Sequence, residues 1–137
     1  MIRAVFHTNQ DHGIASFEMT GHADHGDYGQ DIVCAAVSAL AIATVNGLER
    51  VVKQPATITA DHANGGLLKV SSIDPGHDSQ ILMQTFLEAM LDIQEQYAEN
   101  IDIKCLKNKF QAGGENYDYG SSILLPPQRG RFDCQRS

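Results

Sequence analysis

Residues 32–53 constrain this chain more than any other stretch: read as a helix, they are apolar almost all the way round and rich in alanine. Such a helix must be covered by other elements on most of its sides, and its small residues let those neighbours approach closely. The rest of the chain therefore has to supply the cover. Before the helix, residues 2–8 alternate with Ile2, Ala4 and Phe6 on one face, and 13–20 alternate with Ala15, Phe17 and Met19 on one face. The polar stretch Asn9 to Gly13 joins them, which predicts an antiparallel hairpin. After the helix, strands are predicted at about 56–62 and 67–73 around Asn64-Gly65-Gly66, a strong hairpin signal. Asp74-Pro75-Gly76 then breaks the chain ahead of a second helix over about 77–97. Its apolar stripe is Leu82, Phe86, Ala89, Met90, Ile93 and Tyr97. A last strand over about 101–107 turns Ile101, Ile103 and Cys105 inward. The order ββαββαβ predicts an α/β two-layer sandwich, with two helices on one face of a mainly antiparallel sheet. One domain is expected over residues 1–110. The segment 111–137 clusters Gly, Ser and Pro without hydrophobic period and reads as a disordered tail, or as an expression-derived or frame-altered extension.

Several classes of function are disfavoured at once. A net charge of −7 argues against direct nucleic-acid binding, which needs clustered Lys and Arg, and is compatible with a basic partner. Three widely spaced cysteines do not form a disulfide framework, and no CxxC occurs, so a zinc ribbon or thioredoxin-type motif is absent. A reducing cytoplasm fits best. The first residues lack the apolar core of a signal peptide. The apolar run from Ile32 to Leu48 falls a little short of a membrane-spanning helix and carries Ser38, Thr44 and Asn46, so no membrane is expected as a partner.

The stretch with chemistry lies where a loop meets the first helix. Gly21 to Gln30 contains three glycines and little apolar anchorage, which predicts a mobile loop. Asp31 is a good N-cap, and it would make Ile32, Val33 and Cys34 the first three helical residues. A thiol at that place lies beside unpaired N–H groups and the positive end of the helix dipole, an environment that favours the thiolate. His22 could fold back to hold an imidazolium against the sulfur, giving a Cys–His hydrolytic pair. The backbone N–H groups at the helix start, that of Cys34 included, would then serve an oxyanion. The plainer alternative is that Cys34 packs as a small hydrophobe on an alanine-rich helix.

Gly21-His22, the run Gly29-x-Asp31-x-x-Cys34-Ala35-Ala36-Val37-Ser38 and Asn46-Gly47-Leu48 at the close of the helix resemble the Prp (YsxB-like) cysteine proteases of bacteria. The resemblance extends over roughly residues 1–110 and is most specific over 21–48. It implies a protease that trims the N-terminal extension of a ribosomal large-subunit protein, the one numbered twenty-seven. The catalytic histidine would fall on His22, the nucleophile on Cys34, and a serine one turn later on Ser38. It also implies an extended substrate segment with consecutive aromatics before the cleaved bond, and a homodimer. No cofactor and no metal are implied.

Rival assignments stay open on the residues alone. His25 is the alternative base. Ser38 either bonds back to the carbonyl at 34, lines the substrate pocket or hydrogen-bonds the catalytic pair, and Asp31 either caps the helix or orients His22. The run His22-x-Asp24-His25-x-Asp27 offers ligands for a metal-dependent hydrolase, although all would come from one loop rather than from separate rigid elements. A ribosome-associated binding module, with Cys34 only core, is the non-catalytic alternative. His7, His12, His62 and His77 read as surface residues, Cys105 as core and Cys134 as an exposed thiol without a role.

Overall fold

A computed structural model describes residues 1–22, 28–63, 65–107, 127–128 and 131–132. Strands β1 (Ile2–Thr8) and β2 (Ile14–Thr20) form the expected hairpin, followed by helix α1 (Tyr28–Asn46). Strands β3 (Thr57–Asp61) and β4 (Leu67–Ser71), helix α2 (His77–Gln96) and strand β5 (Ile101–Lys107) complete the order ββαββαβ. The sheet runs β3-β4-β2-β1-β5. All its pairings are antiparallel except β1 with β5, which is parallel and pairs Ile2 with Ile101 through Thr8 with Lys107.

One face of this sheet is dry. Ile2, Ala4 and Phe6 of β1, Phe17 and Met19 of β2 and Ile101, Ile103 and Cys105 of β5 are buried together with residues of both helices. From α1 come Val33, Val37 and Ala41, and from α2 Met83, Phe86, Leu87 and Met90. Phe6, Phe17 and Phe86 meet with ring centroids 5.0–5.7 Å apart, the range in which aromatic pairs add to plain burial. The two-layer α/β sandwich read from the sequence is the observed architecture.

Three local readings need correction. In β2 it is Ile14, not Ala15, that faces inward. Thr8 pairs with Ile14 and His7 with Ser16, so Ala15 is an extra residue, a bulge that shifts the alternation of everything before it. The first helix begins at Tyr28 instead of after Asp31. It turns π-helical over Gly47–Val52 and stops at Lys53, whose left-handed backbone donates to Leu48 O. At Gly47 a Cβ would come within 2.9 Å of Leu82 Cδ2, so a side chain there would require Leu82 to shift. The resulting Gly29–Val52 stretch is long and apolar enough to cross a membrane by length and composition, contrary to expectation. In this fold its inner side is core.

The tail contributes one described feature, the pairing of β6 (Pro127–Gln128) with β7 (Arg131–Phe132). The rest of 111–137, Cys134 included, lies outside the described residues.

Candidate active site

β2 ends at Thr20, and the chain leaves it through Gly21, whose φ of +85° only glycine adopts without strain. A Cβ there would lie 2.4 Å from Met1 O, so the close approach also excludes a side chain. The turn is fixed at both ends of its peptide. Gly21 N donates to Gly66 O of the β3–β4 hairpin (3.3 Å), and Gly21 O points at Cys34 Sγ (3.6 Å), from which it accepts the thiol hydrogen. His22 follows directly and is half-buried, so covalent connection holds its main chain beside the sulfur.

Cys34 is only 7% exposed, and its thiol is not engaged in a disulfide. With α1 starting at Tyr28, it belongs to the second helical turn rather than the first. Asp31 is therefore an exposed residue within the first turn and not the N-cap, and the Cys34 amide is committed to the helical ladder instead of being available for an oxyanion. The sulfur still reaches the helix start, because helical side chains point back toward the N-terminus. There it meets Gln30, whose Nε2 donates to Sγ at 3.1 Å. Gln30 is 8% exposed, and its Oε1 accepts from Asn100 Nδ2 at 3.2 Å.

Asp31, Cys34 and Ser38 share one side of α1 by their i, i+3 and i+7 spacing. Among the described residues, the side chains that bond back to a carbonyl one turn earlier are Thr44 (to Leu40 O) and Thr85 (to Ile81 O), both at 2.8 Å. Ser38 is half-buried, one helical turn after Cys34. Asp24, His25 and Asp27, the rival base and the remaining ligands of the metal reading, lie outside the described residues.

Gln30 and Asn100 were not singled out by the sequence. Gln30 stands four residues before Cys34, a spacing that would have marked it had the helix been started early enough. Asn100 is 70 residues away from Gln30 and carries no local signal.

The site can be set beside known proteins. The profile of the family described as "Cysteine protease Prp" matches residues 1–102. A ribosomal processing cysteine protease Prp from Staphylococcus aureus (strain Mu50 / ATCC 700699) is 38% identical over 102 residues, 74% of this chain and 95% of its own length. Two crystal structures of the essential ribosomal processing protease Prp from S. aureus superpose on the fold. The complex with a substrate peptide does so at 33% identity and a TM-score of 0.65, and the complex with a covalently linked product peptide at 35% and 0.68. Each covers 77% of this chain and 99% of its own. The chain is accordingly a cysteine protease, a hydrolase of peptide bonds. It belongs to the Prp family of ribosomal-processing cysteine proteases.

Proposed function

We propose that this protease removes the N-terminal extension of a ribosomal large-subunit protein, the one numbered twenty-seven, with Cys34 as nucleophile and His22 as base. The observation that carries the reading is the buried Cys34 thiol held against the Gly21 carbonyl, one residue from His22. His22 takes the thiol proton, and the thiolate adds to the scissile carbonyl to form a tetrahedral oxyanion. Collapse breaks the C–N bond as the imidazolium gives its proton to the leaving amine, leaving a thioester on Cys34. Water, deprotonated by His22, then hydrolyses the thioester and returns the sulfur. Ser38 and Asp31, on the same side of α1, line or support the substrate's seat.

A net charge of −7 suits a basic ribosomal segment as substrate, with consecutive aromatics before the cleaved bond. The enzyme works in the cytoplasm as a homodimer. Support for the dimer comes from the outer side of α1, where Ile32 (37% exposed), Ala35, Ala39, Ile42 (60% exposed) and Ala43 form an apolar stripe facing away from the core. Cys34→Ala and Cys34→Ser are expected to abolish cleavage of a precursor peptide, followed by mass spectrometry, while the far-UV circular dichroism stays unchanged. Retention of a sizeable part of wild-type turnover in either variant would refute the nucleophile.

A further inference from the structure

Resting on Cys34 as the nucleophile, we infer that the Gln30 carboxamide is the donor that stabilises its thiolate, and that Asn100 is the positioning residue that keeps this donor aimed at the sulfur.

Among the described contacts of Sγ, two have opposite preferences. Gly21 O accepts from the S–H and so favours the thiol, since once the proton has left, a carbonyl lone pair faces an anion. Gln30 Nε2, at 3.1 Å, donates toward the sulfur and so favours the thiolate. Hydrogen bonding to the charged form of a group lowers the cost of that form. A bond to an ionised partner is also roughly twice as strong as a neutral one. With Gln30 8% exposed and Cys34 7%, water competes poorly for either atom, and the contact gains from the low local dielectric.

A carboxamide can serve here only in one orientation, because the opposite flip would set Oε1 against the sulfur and penalise the anion. Asn100 settles the flip by donating Nδ2 to Gln30 Oε1 at 3.2 Å. Asn100 is itself held by its backbone: its N–H donates to Tyr97 O (2.8 Å) and its carbonyl accepts from Ile2 N (2.9 Å), at the junction of α2, β5 and β1. The turn after α2 thus anchors the main chain of the residue whose side chain meets the far end of the Gln30 carboxamide.

The test compares wild type with Gln30→Glu, Gln30→Met and Asn100→Asp in the full-length protein. Iodoacetamide alkylation of Cys34 is followed against pH by peptide mapping, with kcat and KM measured on a precursor peptide. Glu puts an acceptor against the sulfur, Met removes the donor, and Asp at position 100 draws Gln30 Nε2 to itself and turns Oε1 toward Sγ. All three are expected to move the alkylation profile to higher pH by about one unit, roughly a tenfold loss of rate near neutrality, and to lower kcat with little change in KM. If the Gln30 variants unfold, Asn100→Asp, which leaves α1 untouched, decides. An unmoved profile in the folded variants would overturn the assignment. Because alkylation reads the sulfur without substrate, this failure is distinct from failure of the nucleophile itself, which would appear as turnover by Cys34→Ala.

Discussion

Gly21 shows how much of the site rests on a residue with no side chain. Its left-handed backbone turns the chain out of β2, aims a carbonyl at Cys34 and delivers His22 to the same place. Replacing His22 by Ala is expected to slow cleavage by about 10²–10⁴-fold, the usual contribution of a general base, and to raise the pH at which Cys34 reacts with iodoacetamide. His25→Ala, assayed in parallel, should do far less, and an equal or larger loss there would transfer the role to His25. At this scale the sequence was readable where spacing is local: a histidine after a strand-ending glycine and a cysteine near a helix start. It was silent on Gln30 and Asn100, whose meeting with each other depends on packing between distant segments.

Among the elements, α1 was misplaced for a physical reason. Tyr28-Gly29-Gln30 looks like loop because glycine is a poor helix former, and Asp31 looks like a cap. The buried contact of Gln30 with Asn100 and Cys34 outweighs that propensity and extends the helix backward by a turn. The β2 bulge escaped for a similar reason, since its support comes from α2. Gln80 Oε1 accepts from Ile14 N (2.7 Å), and its Nε2 donates to Ile14 O (3.0 Å) and Asp74 O (3.1 Å), serving both polar groups of the residue beside the bulge. Gln80→Ala should therefore destabilise the fold by about 1–3 kcal/mol in thermal or urea unfolding, the cost of leaving such groups unpaired. The other face of the sheet offers a pH effect. Burial lowers the pKa of His7 below its ordinary 6.5, with Glu18 opposing and Lys69 adding to the shift. The unfolded chain then binds more protons than the folded one below about pH 6.5. Stability is full above that value, falls on acidification through it, and levels off below the folded pKa. His7→Gln should flatten this part of a plot of Tm against pH, and an unchanged slope would count against it.

Across the whole molecule, α1 is asked to do two jobs. One side carries Val33, Val37 and Ala41 into the core with Cys34 at its edge, and the opposite side shows the apolar stripe centred on Ile42. The near-complete apolarity of this helix is evident from the sequence and implies cover on most sides, but which side enters the core and which is left exposed could be read only from the folded chain. Ile42→Asp is expected to convert the proposed dimer to monomer in light scattering coupled to size exclusion, with little change in Tm, since the residue is 60% exposed. A dimer of unchanged mass would remove this face from the assembly. The enclosure of Cys34 has a further consequence, in redox survival. An activated thiolate is the form that oxidants and glutathione attack most readily, and accessible ones are lost first. Cys34 is 7% exposed, so glutathione, itself a tripeptide, meets the same barrier as a peptide substrate and reaches the sulfur only when its neighbours give way. The fold thereby shelters its own nucleophile between rounds of work.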